Sequence, residues 1–278
     1  MIATETHGEV TRVIFSTRRS RAFGYSVSAF LTRGALIDTG FPDVAADVEA
    51  LLARERPRCV VLTHHHEDHA GNVAAVARRG VPVALSALTR EALAEEEHAG
   101  LYRRIVWGTM APVSLAGEGA LPEGLALIHA PGHSPDHHMV WDADRETLFA
   151  GDLFLSVKVR VARPTEDPRA HVRSLRAAAA LRPRVMFDSH RGRIPDPVTA
   201  LTAKADWLEE TLAAIDRRIA DGWSDARIAR ELLGAEDWVG VLSAYDLSRR
   251  NLVRTARRSA RAATAAAAAA SGARAPAR

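Results

Sequence analysis

Residues 63–72 read Thr-His-His-His-Glu-Asp-His-Ala-Gly-Asn, with four histidines and two acids inside six positions, directly after the apolar run Cys59-Val60-Val61-Leu62. So many imidazoles and carboxylates are costly to hold together unless a cation neutralises them, and they are ligand types that Zn²⁺ takes. In extended chain, side chains two apart project to the same side. His64, His66 and Asp68 therefore share a side, and His69 stands beside them where a helix begins. His65 and Glu67 fall out of phase and are expected to point away, into supporting or surface positions. The cluster reads as the first half of a two-metal hydrolytic site.

Further ligand-type side chains stand where predicted strands end: His133 in Pro131-Gly132-His133, Asp152 in Gly151-Asp152, and His190 in Asp188-Ser189-His190-Arg191-Gly192. Open α/β sheets collect their active-site loops at that edge. The glycine of the first motif lets the backbone turn tightly, so that His133 faces the site. Asp38, in Leu36-Ile37-Asp38-Thr39-Gly40, is placed either to orient a ligand imidazole through its other nitrogen or to stabilise its own loop as an Asx-turn. His137 is a candidate for lining the substrate pocket. Lys158 and Arg160, in the segment 156–164, either meet an anionic substrate or stand on a solvated edge strand.

The elements that must position these residues can be read from pattern and punctuation. Strands are expected over 10–15 and 25–36, the latter turning at Arg33-Gly34. Pro42 opens a helix, where its missing N–H costs nothing, with Val44, Val48, Leu51 and Leu52 on one face. A strand over 59–63, a helix over 72–79 and a short strand over 81–85 continue the alternation. Residues 86–110 read as helical, with Glu95-Glu96-Glu97 as a solvated face. Strands follow over 125–130, 138–141 and 147–150, with Asp144-Arg145 at a hairpin tip. A helix over 168–181, a strand over 185–188 and a long helix over 197–220 come next. Beyond residue 221 only helical patterns occur, one of them behind the N-cap pair Ser224-Asp225. Trp207, Trp223, Trp238 and Tyr245 are expected to pack this extension against the rest. Residues 262–278 are Ala/Arg/Pro with nothing to bury and are expected to be frayed or disordered.

The ordered set His64-x-His66-x-Asp68-His69, His133, Asp152 and His190, with Leu36-Ile37-Asp38-Thr39-Gly40 and Phe149-Ala150-Gly151-Asp152 flanking it, resembles the motif series of the metallo-β-lactamase-fold hydrolases over about residues 10–200. The resemblance implies a four-layer αββα sandwich of α/β class, with the metals at one edge. It also implies that His64, His66 and His133 hold one zinc, that Asp68, His69 and His190 hold the other, and that Asp152 bridges them. The sequence is similar to the glyoxalase II, ribonuclease Z and lactonase branches, because it has Asp152 where zinc β-lactamases of the antibiotic-resistance type typically place cysteine. It departs from the flavodiiron proteins, which carry glutamate where this chain has His66. The layout resembles the lactamase-like hydrolases with a helical C-terminal domain. The expected division is a catalytic domain over 1–204, a helical domain over 205–260 and a tail over 261–278.

Composition narrows the function. The chain has 278 residues, 47% apolar and 26% charged, the proportions of a soluble globular protein. Eight arginines and no acid follow from Arg249 onward, so a net charge of +3 becomes −5 for the body without them. That balance argues against a folded surface built to lie along nucleic acid. The single cysteine, Cys59, excludes an intrachain disulfide and reads as a buried strand thiol. With no signal pattern and no membrane-length apolar run, a cytoplasmic location is expected.

The expected chemistry is hydrolysis by two zinc ions, other divalent transition metals being alternatives, that share a hydroxide across about 3.5–4 Å. Asp68 is the candidate to orient it and carry the proton to the leaving group. The expected partner is a small ester, thioester or lactone, an anionic one included. A phosphodiesterase or ribonuclease is the alternative. A nucleic-acid-binding protein with a structural metal ranks last, because structural zinc sites are closed and mononuclear. No membrane partner is expected, and a homodimer is compatible with the sequence.

Overall fold

The computed structural model describes residues 2–95 and 99–272, without the side chains of Val239 and residues 262–272. Its strands are β1 (Ile2–His7), β2 (Val10–Phe15), β3 (Val27–Thr32), β4 (Ala35–Ile37), β5 (Cys59–Val61), β6 (Val83–Ala84), β7 (Leu125–His129), β8 (His138–Asp142), β9 (Thr147–Phe149), β10 (Val185–Asp188) and β11 (Gly192–Ile194). The helices are α1 (Arg18–Ala22), α2 (Ala45–Glu55, entered through a 3₁₀ turn at Pro42–Val44), α3 (Glu67–Ala70), α4 (Val73–Arg78), α5 (Ala87–Ala94), α6 (Leu101–Trp107), α7 (Pro168–Ala180), α8 (Pro197–Ala220), α9 (Asp225–Leu233), α10 (Trp238–Leu242) and α11 (Arg249–Gly272).

Two sheets form. The first runs β1-β2-β3-β4-β5-β6 and the second β11-β10-β9-β8-β7. Strands β1 to β4 are antiparallel neighbours, whereas β4, β5 and β6 pair in parallel. Parallel pairing needs a crossover, and α2 supplies it between β4 and β5. Because side chains alternate across a strand, one face of each sheet meets the other: Val10, Phe30, Ile37 and Val61 pack on Val140, Phe149 and Phe187. Phe30, Phe149 and Phe187 form an aromatic knot with centroids 5.4–5.6 Å apart. The outer face of the first sheet buries Val13, Phe15 and Leu36 against Val48, Leu51 and Val76 of α2 and α4. The outer face of the second buries Met139, Leu148 and Met186 against Leu175 of α7 and Leu201 of α8. The result is the expected four-layer αββα order. A fourth apolar cluster joins α7 and α8 to the C-terminal helices through Val172, Leu212, Ile215, Ile228, Leu233 and Val253.

Several elements differ from expectation. β1 was not anticipated, because Ile2–His7 is an edge strand exposed over most of its length and lacks the alternation that marks a half-buried strand. β11 is only three residues long. The expected helix over 86–110 is two helices, α5 and α6; Glu96 and Glu97 lie outside the described residues. α8 is the expected long helix, Pro197–Ala220. α11 continues through Gly272, helical over much of the expected tail, and 273–278 lie outside the described residues. Trp238 packs the extension on the sandwich by stacking on Phe23, although it is 58% exposed, and Tyr245 is 55% exposed. Among the described residues no helix is long and apolar enough to cross a membrane.

Candidate metal centre

The site is built at the edge where β4, β5, β9 and β10 end. The chain leaving β5 passes through Thr63 to His66 and turns into α3, so that His64, His66, Asp68 and His69 are all buried. Gly132 brings His133 in from the loop after β7; its φ is +140°, and a Cβ there would lie 2.4 Å from the His171 backbone. Gly151, at φ +54°, turns the chain after β9 into Asp152, and a Cβ at that position would meet His137 Nε2 at 2.6 Å. His190 follows β10, where buried Asp188 accepts the backbone N–H groups of Leu155, His190 and Arg191 at 2.6–2.9 Å and ties two loops together.

These loops bring all seven residues into two adjacent groups, His64/His66/His133 and Asp68/His69/Asp152/His190, each with its ligand-type atoms within 4.8 Å of one another. In the first group His66 Nδ1 lies 2.9 Å from both His64 Nε2 and His133 Nε2. One proton on His66 can serve one of those neighbours, leaving the other nitrogen facing a lone pair. In the second group His69 Nε2, Asp68 Oδ1 and Asp152 Oδ1 are buried without a hydrogen-bond partner among the described residues. Buried polar atoms are seldom left so, and each costs free energy unless something meets it. Divalent cations fit both groups, and the donors, imidazole and carboxylate without thiolate, suit zinc.

The far sides of the rings are pinned. Asp38, at φ +61°, accepts from the Thr63 backbone at 2.9 Å and meets His69 Nδ1 at 2.8 Å. The Thr63 hydroxyl also donates to Asp38 and so receives the His64 Nδ1–H at 3.0 Å. His190 Nδ1 donates to the Ser26 carbonyl at 2.8 Å. In the neutral ring each of these contacts places the proton on Nδ1 and leaves Nε2 as the lone-pair nitrogen facing the site.

Electrostatics divides the two groups. Burial holds His64, His66 and His133 well below the ordinary histidine value, so they are neutral. Burial also opposes charge on His69 and His190, but Asp152 and Asp68 outweigh it and raise both. Burial likewise pushes Asp68 and Asp152 up, and those same histidines overcome it and hold both carboxyls low. The second group thus keeps its acids ionised and calls for positive charge.

Residues 24–190 match the family described as the Metallo-beta-lactamase superfamily, a span holding all seven residues. The chain belongs to this superfamily. It is 34% identical over 163 residues to the hydroxyacylglutathione hydrolase of Anaeromyxobacter dehalogenans, covering 56% of each chain. It is 30% identical over 196 residues to the atrochrysone carboxyl ACP thioesterase AgnL7 of Paecilomyces divaricatus, covering 67% of this chain and 57% of that one. The chain spans 32–58% of the length of the curated relatives it matches. The fold is shared with the metallo-beta-lactamase from Pontibacter korlensis, at a TM-score of 0.57 and 19% identity over 75% of this chain and 99% of that one.

The remaining site residues fall in several places. His65 and Glu67 point away from the two groups and anchor the loop: His65 binds Asp136 through its backbone and ring at 2.8 Å, and Glu67 forms a buried pair with Arg103 of α6, 2.7 Å at Nε. His137 is fully buried behind the site, donating to the Ala130 carbonyl and accepting the Asp152 N–H at 3.0 Å; burial drops its pKa to about 4. Lys158 and Arg160 line the mouth of a cavity of about 610 Å³ over the metal centre, which Tyr25, Trp107 and Arg163 also line. The sequence reading missed Asp136, Glu166 and Lys204. Lys204 is buried, donates to the Leu153 and Phe154 carbonyls at 2.9 and 2.6 Å, and is lowered to about 8 by burial. Its place on the apolar stripe Leu201-Lys204-Ala205-Leu208 of α8 was the available signal.

Proposed function

We propose that this chain is a two-zinc hydrolase of a small acyl compound, with a thioester first among esters, thioesters and lactones. The observation that carries the reading is the placement of Asp152. Its Oδ2 lies 3.4 Å from His133 Nε2 in one group, while its Oδ1 lies 3.1 Å from His69 Nε2 and 3.3 Å from His190 Nε2 in the other. One carboxylate thus faces both groups, as a shared ligand must. His64, His66 and His133 would hold one ion, Asp68, His69 and His190 the second, and Asp152 both.

Bound there, two divalent cations supply Lewis acidity that brings the pKa of water toward neutrality and polarises a scissile carbonyl. Asp68 lines the cavity with its Oδ1 unpartnered, so it is placed to accept the proton of an attacking water and pass it to the leaving thiol. Asp38, Thr63 and Ser26 keep the ligand rings in one tautomer. Tyr25 and Trp107 give the cavity an apolar wall for an acyl chain. The thioester preference is supported by two similar proteins, an acylglutathione hydrolase and a thioesterase by name.

The test is a panel of thioesters, lactones, phosphodiesters and RNA offered to metal-loaded protein. Hydrolysis of the thioesters is expected. Cleavage of phosphodiesters or RNA alone would replace the reading by the phosphodiesterase one.

A further inference from the structure

We propose that Arg163 makes the site selective for an acyl group bearing a second carboxylate, held beside the first metal group. The proposal rests on the hydrolase reading above. Arg163 is half-buried in the cavity wall, and its Nη1 lies 3.3 and 3.4 Å from the two ring nitrogens of His66. Among the described residues it meets no carboxylate at ion-pair distance. The nearby acid on its loop, Glu166, has its carboxylate 3.9 Å from His133 Nδ1. Lys158 and Arg160, on the same strand of chain, are also unpaired among the described residues and line the mouth.

With a dication bound, a guanidinium set against the imidazoles that would hold it is repelled unless an anion lies between them. The chain nevertheless fastens it there. Ala162 and Ser248 exchange backbone hydrogen bonds of 3.1 and 3.2 Å, and Arg258 of α11 donates to the Pro164 and Glu166 carbonyls at 2.6 and 2.8 Å. The Glu166 N–H closes the turn on the Arg163 carbonyl at 3.2 Å. An arginine preorganised in this way, with its planar fork open to the cavity, matches a carboxylate. The reaction it selects adds water to the thioester carbonyl and breaks the C–S bond. The electron pair and a proton leave with the thiol, and the acyl part departs as a dicarboxylate.

The experiment compares succinyl and butyryl thioesters of one thiol on metal-loaded protein carrying Arg163, Arg163→Gln or Arg163→Lys. Calorimetric titration of succinate and butyrate is run beside it. The native protein should prefer the succinyl thioester in kcat/KM, and Arg163→Gln should lower the succinyl-to-butyryl ratio about 30-fold, the scale of one charge-assisted pair. Arg163→Lys should restore part of the ratio, and succinate should bind about tenfold or more weaker to the Gln variant. A ratio unchanged by the substitution, whether both substrates lose equally or neither does, would overturn the proposal, as would a native preference for butyryl. If neither thioester is hydrolysed but succinate binding still falls in Arg163→Gln, the hydrolase reading fails and the selectivity stands. If succinate binding is unchanged as well, both fail.

Discussion

In the proposed mechanism the chemistry turns on Asp152, a buried carboxylate that faces both candidate ligand groups. Asp152→Ala should abolish thioester hydrolysis while the circular dichroism spectrum and a cooperative melt persist; retained turnover would reject the shared-ligand role. Asp38 acts one layer back. Asp38→Ala removes the acceptor of His69 Nδ1 and of Thr63 and should weaken metal binding about 10- to 100-fold in chelator competition. Unchanged affinity would leave Asp38 a loop residue only. At this scale the sequence was legible where residue type and phase coincide: the two-residue repeat of His64, His66 and Asp68 separates them from His65 and Glu67. It was illegible where partnership is made only by folding. Nothing in Pro135-Asp136 announces that Asp136 will grip His65, 71 positions away, and His137 looks like a pocket residue until its ring is found behind the Asp152 amide.

The loop 156–166 and helix α11 form a unit at the scale of elements. Arg258 and Ser248 hold the backbone that carries Arg163, so the C-terminal helices shape the cavity as well as pack on α7 and α8. The last buried side chains of α11 among the described ones are Leu252, Val253, Thr255 and Ala256, and Arg258 bonds the loop at the Pro164 and Glu166 carbonyls. Truncation after Arg258 should therefore leave small-thioester turnover unchanged, whereas Arg258→Ala should raise KM several-fold with kcat nearly constant. A large loss on truncation, or a fall in kcat alone for the substitution, would contradict this division. Strands and helices with a strong buried face, such as β2 and α7, are readable from period alone. β1 and β11 are not, because an exposed edge strand and a three-residue strand place too few side chains in the core to leave a pattern.

The molecule as a whole is two sheets clasped at their far end by Arg33. From the β3–β4 turn its guanidinium reaches Asp142 of β8 at 2.7 and 2.8 Å, and Asp144 at 2.7 Å. Asp142 is 1% exposed. Burial raises its carboxyl, but Arg33 and the Arg145 backbone outweigh that and hold it below the usual value of 3.8. A depressed carboxyl stabilises the fold above its unfolded pKa, and that contribution is lost as pH falls through the folded value. Arg33→Ala should thus cost about 3 kcal/mol at pH 7 by denaturant titration, with the gap to the native protein closing below about pH 4. A gap independent of pH would mean that the pair is not the source.

The proposed centre takes a pair of metal ions, and the most direct measurement is metal content by elemental analysis after saturating reconstitution with zinc. Two zinc ions per chain are expected, falling in Asp152→Ala. One or none per fully loaded native chain would contradict the two-metal centre.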